Sequence, residues 1–125
     1  MTPSSASGLP TTAIQPFACG LYYVANIDGL EPREEELIRE FLQESGSDLA
    51  FEDLASLPFE VDDLAIALET TYLRRLFLRA AIALVKLDGV FSDGERHAIG
   101  NIADAFRMTN AEFGDLEQEA SRVRL

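Results

Sequence analysis

A six-residue pattern recurs in this chain: Val24-Ala-Asn-Ile-Asp-Gly29 aligns with Leu84-Val-Lys-Leu-Asp-Gly89, sixty residues later, with apolar residues at the first, second and fourth positions and Asp-Gly in common. In each copy an apolar run stops on Asp-Gly, and Gly readily takes the left-handed conformation that ends a helix. A second helix follows. After a one-residue slip in the loop, Glu34, Ile38, Phe41 and Leu42 match Glu95, Ile99, Ile102 and Ala103. Short loops make each pair an antiparallel hairpin with one apolar side uncovered, and packing the two hairpins together covers both.

The remaining apolar residues repeat at the helical period. Ile14, Phe17, Leu21, Val24 and Ala25 share one face, with Tyr22, Tyr23 and Ile27 widening it, so a helix from about Ile14 is expected to be buried on several sides. Pro32 favours the first turn of a second helix, which uses Leu37, Ile38, Phe41 and Leu42 and stops near Gly46. Ser47 is the expected cap of a short third helix with Leu49, Leu54 and Leu57 on its apolar side, ending at Pro58. A fourth segment runs from Val61 to about Glu69. Thr70 and Thr71 break it from the longest helix, expected over Tyr72 to Leu87. Ser92 with Glu95, and Thr109 with Glu112, have the spacing of a capping box. They open a helix carrying Ile99, Ile102, Ala103 and Phe106, then a last one with Phe113, Leu116 and Val123. No stretch alternates with period two, so the fold expected is all-α, a bundle of about six to seven helices. Residues 1–12, rich in Ser, Thr, Pro and Gly, are expected as a flexible tail before one domain at 13–125.

Charge is segregated along the chain. Residues 1–27 carry none, residues 28–69 carry fourteen acids against two arginines, and residues 70–125 balance eight against eight. The formal charge of −12 therefore sits in the middle third. Such a field repels nucleic acid and anionic lipid, which are bound by neutralising phosphate with Lys and Arg. The longest apolar run, Leu76 to Leu87, is broken by Arg79 and Lys86, too short and too charged to span a bilayer. No signal-peptide pattern opens the sequence, and the single Cys19 has no partner for an internal disulfide, so a cytoplasmic location is expected.

The second copy, Leu-Val-Lys-Leu-Asp-Gly-Val-Phe-Ser-Asp-Gly-Glu from Leu84 to Glu95, resembles the TerB-like tellurite-resistance family, in which an apolar helix ends on Asp-Gly and a capped helix with an early glutamate follows. Val24 to Glu35 is a looser match, and the resemblance spans roughly Phe17 to Phe106. It implies a compact α domain of about seven helices without known catalysis, associated with bacterial responses to tellurite and other stress, and binding metal or partners through acidic residues. The first copy departs from the pattern, with Glu31-Pro32 where a small hydroxyl cap is usual.

Two functional readings follow from the acids. In the first, an interaction module docks a basic protein surface through Glu34, Glu36, Glu40, Glu44, Asp48, Glu52 and Asp53. In the second, a divalent cation is held by Asp28, Glu31 and Glu35 at one turn and Asp88, Asp93 and Glu95 at the other, since hard cations take several oxygen ligands. The spacing is not an EF-hand: counting from Asp88, Val90 is third and Ile99 twelfth. The plainer use of these carboxylates is capping the orphan N–H groups of helix ends. Catalysis is not expected, because His97 is alone, no Gly-x-Ser-x-Gly motif occurs and Cys19 lies in an apolar helix. Arg75, Arg79 and Lys86, with Arg74 beside their stripe, offer a surface for an anionic partner, but the use expected of them is surface pairing with acids of the middle third. Tyr22, Tyr23 and Phe91 are the residues through which a homodimer would form if exposed.

Overall fold

The computed structural model describes residues 11–27, 29–86 and 92–122. Among them are six α-helices, a 3-10 helix and no strand: α1 Thr11–Ala25, α2 Pro32–Glu44, the 3-10 helix η1 Phe51–Ser56, α3 Val61–Ala67, α4 Thr71–Val85, α5 Asp93–Ala105 and α6 Asn110–Arg122. The all-α bundle read from the sequence is the observed fold. Leu87, Phe91 and Val123 lie outside the described residues.

The charge-free helix is the hub. α1 packs against α2, η1, α3, α4 and α5, which a helix can do only when no face needs water. Phe17, Ala18, Leu21, Val24 and Ala25 are all buried. The helix begins at Thr11 and runs through Pro16, rather than starting near Ile14. Ala13 and Ile14 are buried in the core, so tertiary burial outweighs the punctuating proline. The helix ends at Ala25, ahead of the expected stop at Asp28-Gly29: Asn26 and Ile27 form a turn that closes it, with Ile27 N–H donating to Val24 O at 3.2 Å, and Gly29 takes a φ of 96° beyond that turn.

Gly20 sets the spacing of α1 and α4. A Cβ built there would lie 2.8 Å from the ring of Phe77 and 3.2 Å from Leu64, both fully buried. The ring of Phe77 packs edge-on to Phe17 at 5.1 Å and to Phe106 at 6.1 Å, while Phe17 stacks on Phe41 at 5.0 Å. Four phenylalanines thus run from α2 through α1 and α4 to the end of α5, in the offset and edge-to-face arrangements that aromatic pairs prefer.

One device starts four of the helices. An acid at the third helical position turns back and accepts the backbone N–H of the cap residue: Glu34 from Glu31 at 2.9 Å, Asp53 from Ala50 at 3.1 Å, Glu95 from Ser92 at 3.0 Å and Glu112 from Thr109 at 2.9 Å. Ser92 and Thr109 return a bond to the third-position N–H, closing the two capping boxes read from the sequence. Thr70 caps α4 by accepting from Leu73 N–H at 3.1 Å. Ser47 does not cap the third helix; its Oγ accepts from Leu49 N–H, and η1 starts after Ala50. The buried residues there are Phe51 and Leu54, with Leu49 and Leu57 half-buried, because a 3-10 turn aligns residues three apart.

Arg74 departs furthest from expectation. Its guanidinium donates to Leu68 O at 2.6 Å, Ala65 O at 2.7 Å and Phe106 O at 3.4 Å, and lies 5.5 Å over the Phe106 ring. It joins the C-terminal ends of α3 and α5, where the helix dipoles favour a cation. Arg75 faces Glu112 of α6 at 3.9 Å, so its counter-charge comes from the C-terminal third. Arg79 and Lys86 are also engaged.

Candidate functional site

Once the acids that serve the fold are set aside, the residues left for a partner are fewer than the sequence offered. Glu34 is 2% exposed and Glu95 6% exposed, each with its carboxylate on a cap N–H. Glu35 and Glu52 both hold Arg39, whose guanidinium also covers the ring of Phe51 at 4.8 Å. That pairing holds the Glu52 carboxyl below its usual range, its hydrogen bond from Arg39 being the largest cause. Asp53 is exposed but caps η1. Glu31 and Asp93 are exposed at the starts of α2 and α5. Asp28 and Asp88 lie outside the described residues. Among the described residues no three His, Cys, Asp or Glu side chains come together as a group that would hold a metal ion.

Glu36, Glu40 and Glu44 remain, exposed at successive turns of α2, with exposed Asp48 just beyond the helix. Residues four apart are neighbours on a helix surface, so these three form a continuous acidic stripe. Among the described residues no cation lies within ion-pairing distance of them.

Beside that stripe lies an apolar groove of about 270 Å³ between α2 and α4. Phe17 and Leu21 of α1 line it with Leu37 and Phe41 on one wall and Leu76, Ala80 and Ala83 on the other; Glu40 and Glu44 border it. Local sequence explains its origin. On α2, Ile38 and Leu42 turn fully into the core, while Leu37 and Phe41 sit a step round the helix and stay half-buried. Ile102, the residue that aligns with Phe41, is fully buried. On α4, two alanines follow Leu76 at turns where bulkier side chains would have filled the space. The groove was missed in the sequence, although Leu37 beside Ile38 and Phe41 beside Leu42 make an apolar face wider than a two-helix contact covers.

Two other concavities are less distinctive. One of about 460 Å³ on α5 brings His97 near Asp93, Arg96 and Asp104 under mixed charge. Another, of about 300 Å³, lies beside Cys19, Tyr22, Tyr23 and Phe59. Cys19 is buried and its thiol is pushed up by desolvation, as befits an inert core thiol. Tyr22 packs edge-on to Phe51 and Tyr23 stacks on Phe59, leaving Tyr23 only partly exposed. Among the described residues the large apolar side chains most open to solvent are Ile66 and Tyr72, at 72% and 66%. Among the described residues no helix is long and apolar enough to cross a membrane. Compared with protein-family models, curated proteins and solved structures, the chain finds no match.

Proposed function

We propose that this chain is a non-catalytic interaction module that docks a basic surface of another protein through the exposed face of α2. The observation that carries the reading is the stripe Glu36, Glu40, Glu44, which no described cation neutralises and which no helix cap uses. Carboxylates held at one-turn spacing on a rigid helix repel one another, and a basic partner relieves that repulsion. Residues 28–69, with their net charge of −12, extend the same field and steer a cationic partner toward it. A role in a bacterial stress response, which the resemblance to the TerB-like family implies, is part of the same proposal.

The experiment compares proteins retained from native cell extract by the immobilised chain and by its Glu36→Gln/Glu40→Gln/Glu44→Gln variant, eluted over a salt gradient. Exposed charges are screened beyond about 8 Å at physiological ionic strength. The proposal expects partners retained at low salt, released as salt rises and lost from the variant. An identical, salt-insensitive set on both columns would sink it.

A further inference from the structure

We infer that the α2–α4 groove receives an amphipathic helical segment of the partner, one that inserts an apolar side chain against Phe41 and Leu76 and carries Lys or Arg one turn away for Glu40 and Glu44. This rests on the reading of the chain as an acidic interaction module and names the part of the partner that module recognises. The groove is open and about 270 Å³, slightly below the roughly 300–1,000 Å³ of enclosed small-molecule pockets. That volume suits side chains inserted from a second surface, as in helix-in-groove recognition.

Charge selects the occupant and its orientation. The α2 wall carries Glu40 and Glu44 at its edge, whereas the α4 wall presents Ala80 and Ala83. Among the described residues no cation of α4 pairs with Glu40 or Glu44, so the anionic edge is unanswered. A basic flank therefore belongs on the α2 side. A second copy of this chain is a poor occupant, because a net charge of −12 would meet itself across the groove. Tyr72, 66% exposed and one turn before Leu76, continues the α4 wall and offers a further aromatic contact along the segment.

The probe is a fluorescein-labelled 18-residue Leu/Lys peptide with its leucines on one helical face, read by fluorescence anisotropy beside a scrambled peptide of the same composition. Three variants of the full chain are compared with wild type: Ala83→Phe fills the groove without changing charge, Glu40→Gln/Glu44→Gln removes two charges at its edge, and Asp62→Asn/Asp63→Asn removes two exposed charges on α3, away from the groove. Folding is checked by circular dichroism, and Ala80→Gln replaces Ala83→Phe if that variant melts early.

The amphipathic peptide is expected to bind about 10-fold more tightly than the scrambled one. Ala83→Phe should weaken it about 10-fold, Glu40→Gln/Glu44→Gln about 3–10-fold, and the α3 variant less than 2-fold, since rim charges contribute less than buried apolar anchors. Equal binding of both peptides, with Ala83→Phe unaffected and Glu40→Gln/Glu44→Gln weakened, would overturn the groove while leaving the acidic surface standing. No binding of either peptide at low salt would overturn both. A wild-type dimer in sedimentation velocity that Ala83→Phe dissociates would reassign the groove to a second copy and overturn the occupant inferred here.

Discussion

Replacing Arg74 by Met should destabilise the protein far more than the same change at Arg75, its neighbour in sequence. Methionine keeps most of the apolar stem that packs in the helix interface, so the comparison isolates the guanidinium. In the native protein that group satisfies Ala65 O and Leu68 O at 2.7 and 2.6 Å and reaches Phe106 O at 3.4 Å. A hydrogen bond involving a charged group contributes about 1.5–3 kcal/mol, and contacts sharing one donor group do not add. Two good bonds, one weak one and the ring contact with Phe106 together give about 2–4 kcal/mol. At roughly 4 °C per kcal/mol for a domain of this size, Tm should fall by about 8–16 °C. Arg74→Lys should recover about half, because an ammonium lacks the planar fork that spans two carbonyls. Arg75→Met removes only a 3.9 Å surface pair with Glu112 and should lose less than about 1 kcal/mol. Thermal and urea unfolding of the four proteins decide the matter. An Arg74→Met loss below about 0.5 kcal/mol, or no difference between the Arg74 and Arg75 variants, would refute the tie between α3 and α5.

Three further expectations bear on the fold. Gly20→Ala gains about 1 kcal/mol of helix propensity but forces a methyl to within 2.8 Å of the locked ring of Phe77, so overpacking of about 1–3 kcal/mol should give a net loss in urea unfolding; a more stable variant would mean that α1 and α4 are farther apart than described. Arg107 follows α5 at a φ of 62°, the role Gly46 takes after α2 at 72°, and Arg107→Gly should raise stability by about 0.5–1 kcal/mol in the same measurement. Hydrogen bonds from Thr109 hold the Glu112 carboxyl below its usual range. A folded-state pKa below the unfolded one contributes stability above the unfolded pKa that is lost as pH falls through the folded one. Melting curves between about pH 5 and 2 should therefore be less acid-sensitive for Glu112→Gln than for wild type, and parallel curves would contradict this.

The elements were legible in the sequence wherever a strong local signal coincided with burial. Ser92 with Glu95 and Thr109 with Glu112 opened α5 and α6 where their spacing placed them, and Thr70 capped α4. The absence of charge before residue 28 foretold a central helix. What escaped was tertiary. Arg74 looked like any arginine on a basic stripe; only the meeting of two helix ends, neither closed by Lys, Arg or His in its last turn, makes it an internal donor. Ser47 had the residue type of a cap, yet a local turn captured its hydroxyl first, as Ser side chains commonly do. Glu34 was grouped with Glu36, Glu40 and Glu44 for docking and Glu35 with a cation set, although the interior took Glu34, Arg39 took Glu35, and the surface kept Glu36, Glu40 and Glu44. Helical phase contained that distinction, but the position of η1 and its Glu52 beside Arg39 was needed to see it.

The most direct test of docking into the apolar groove with its acidic edge is a ¹⁵N–¹H correlation spectrum of the full chain titrated with the unlabelled Leu/Lys amphipathic peptide. The proposed docking predicts saturable shifts concentrated at Leu37, Phe41, Glu40, Glu44, Leu76, Ala80 and Ala83. Shifts spread over Asp62, Asp63 and the other exposed acids, with the groove residues unmoved, would contradict it.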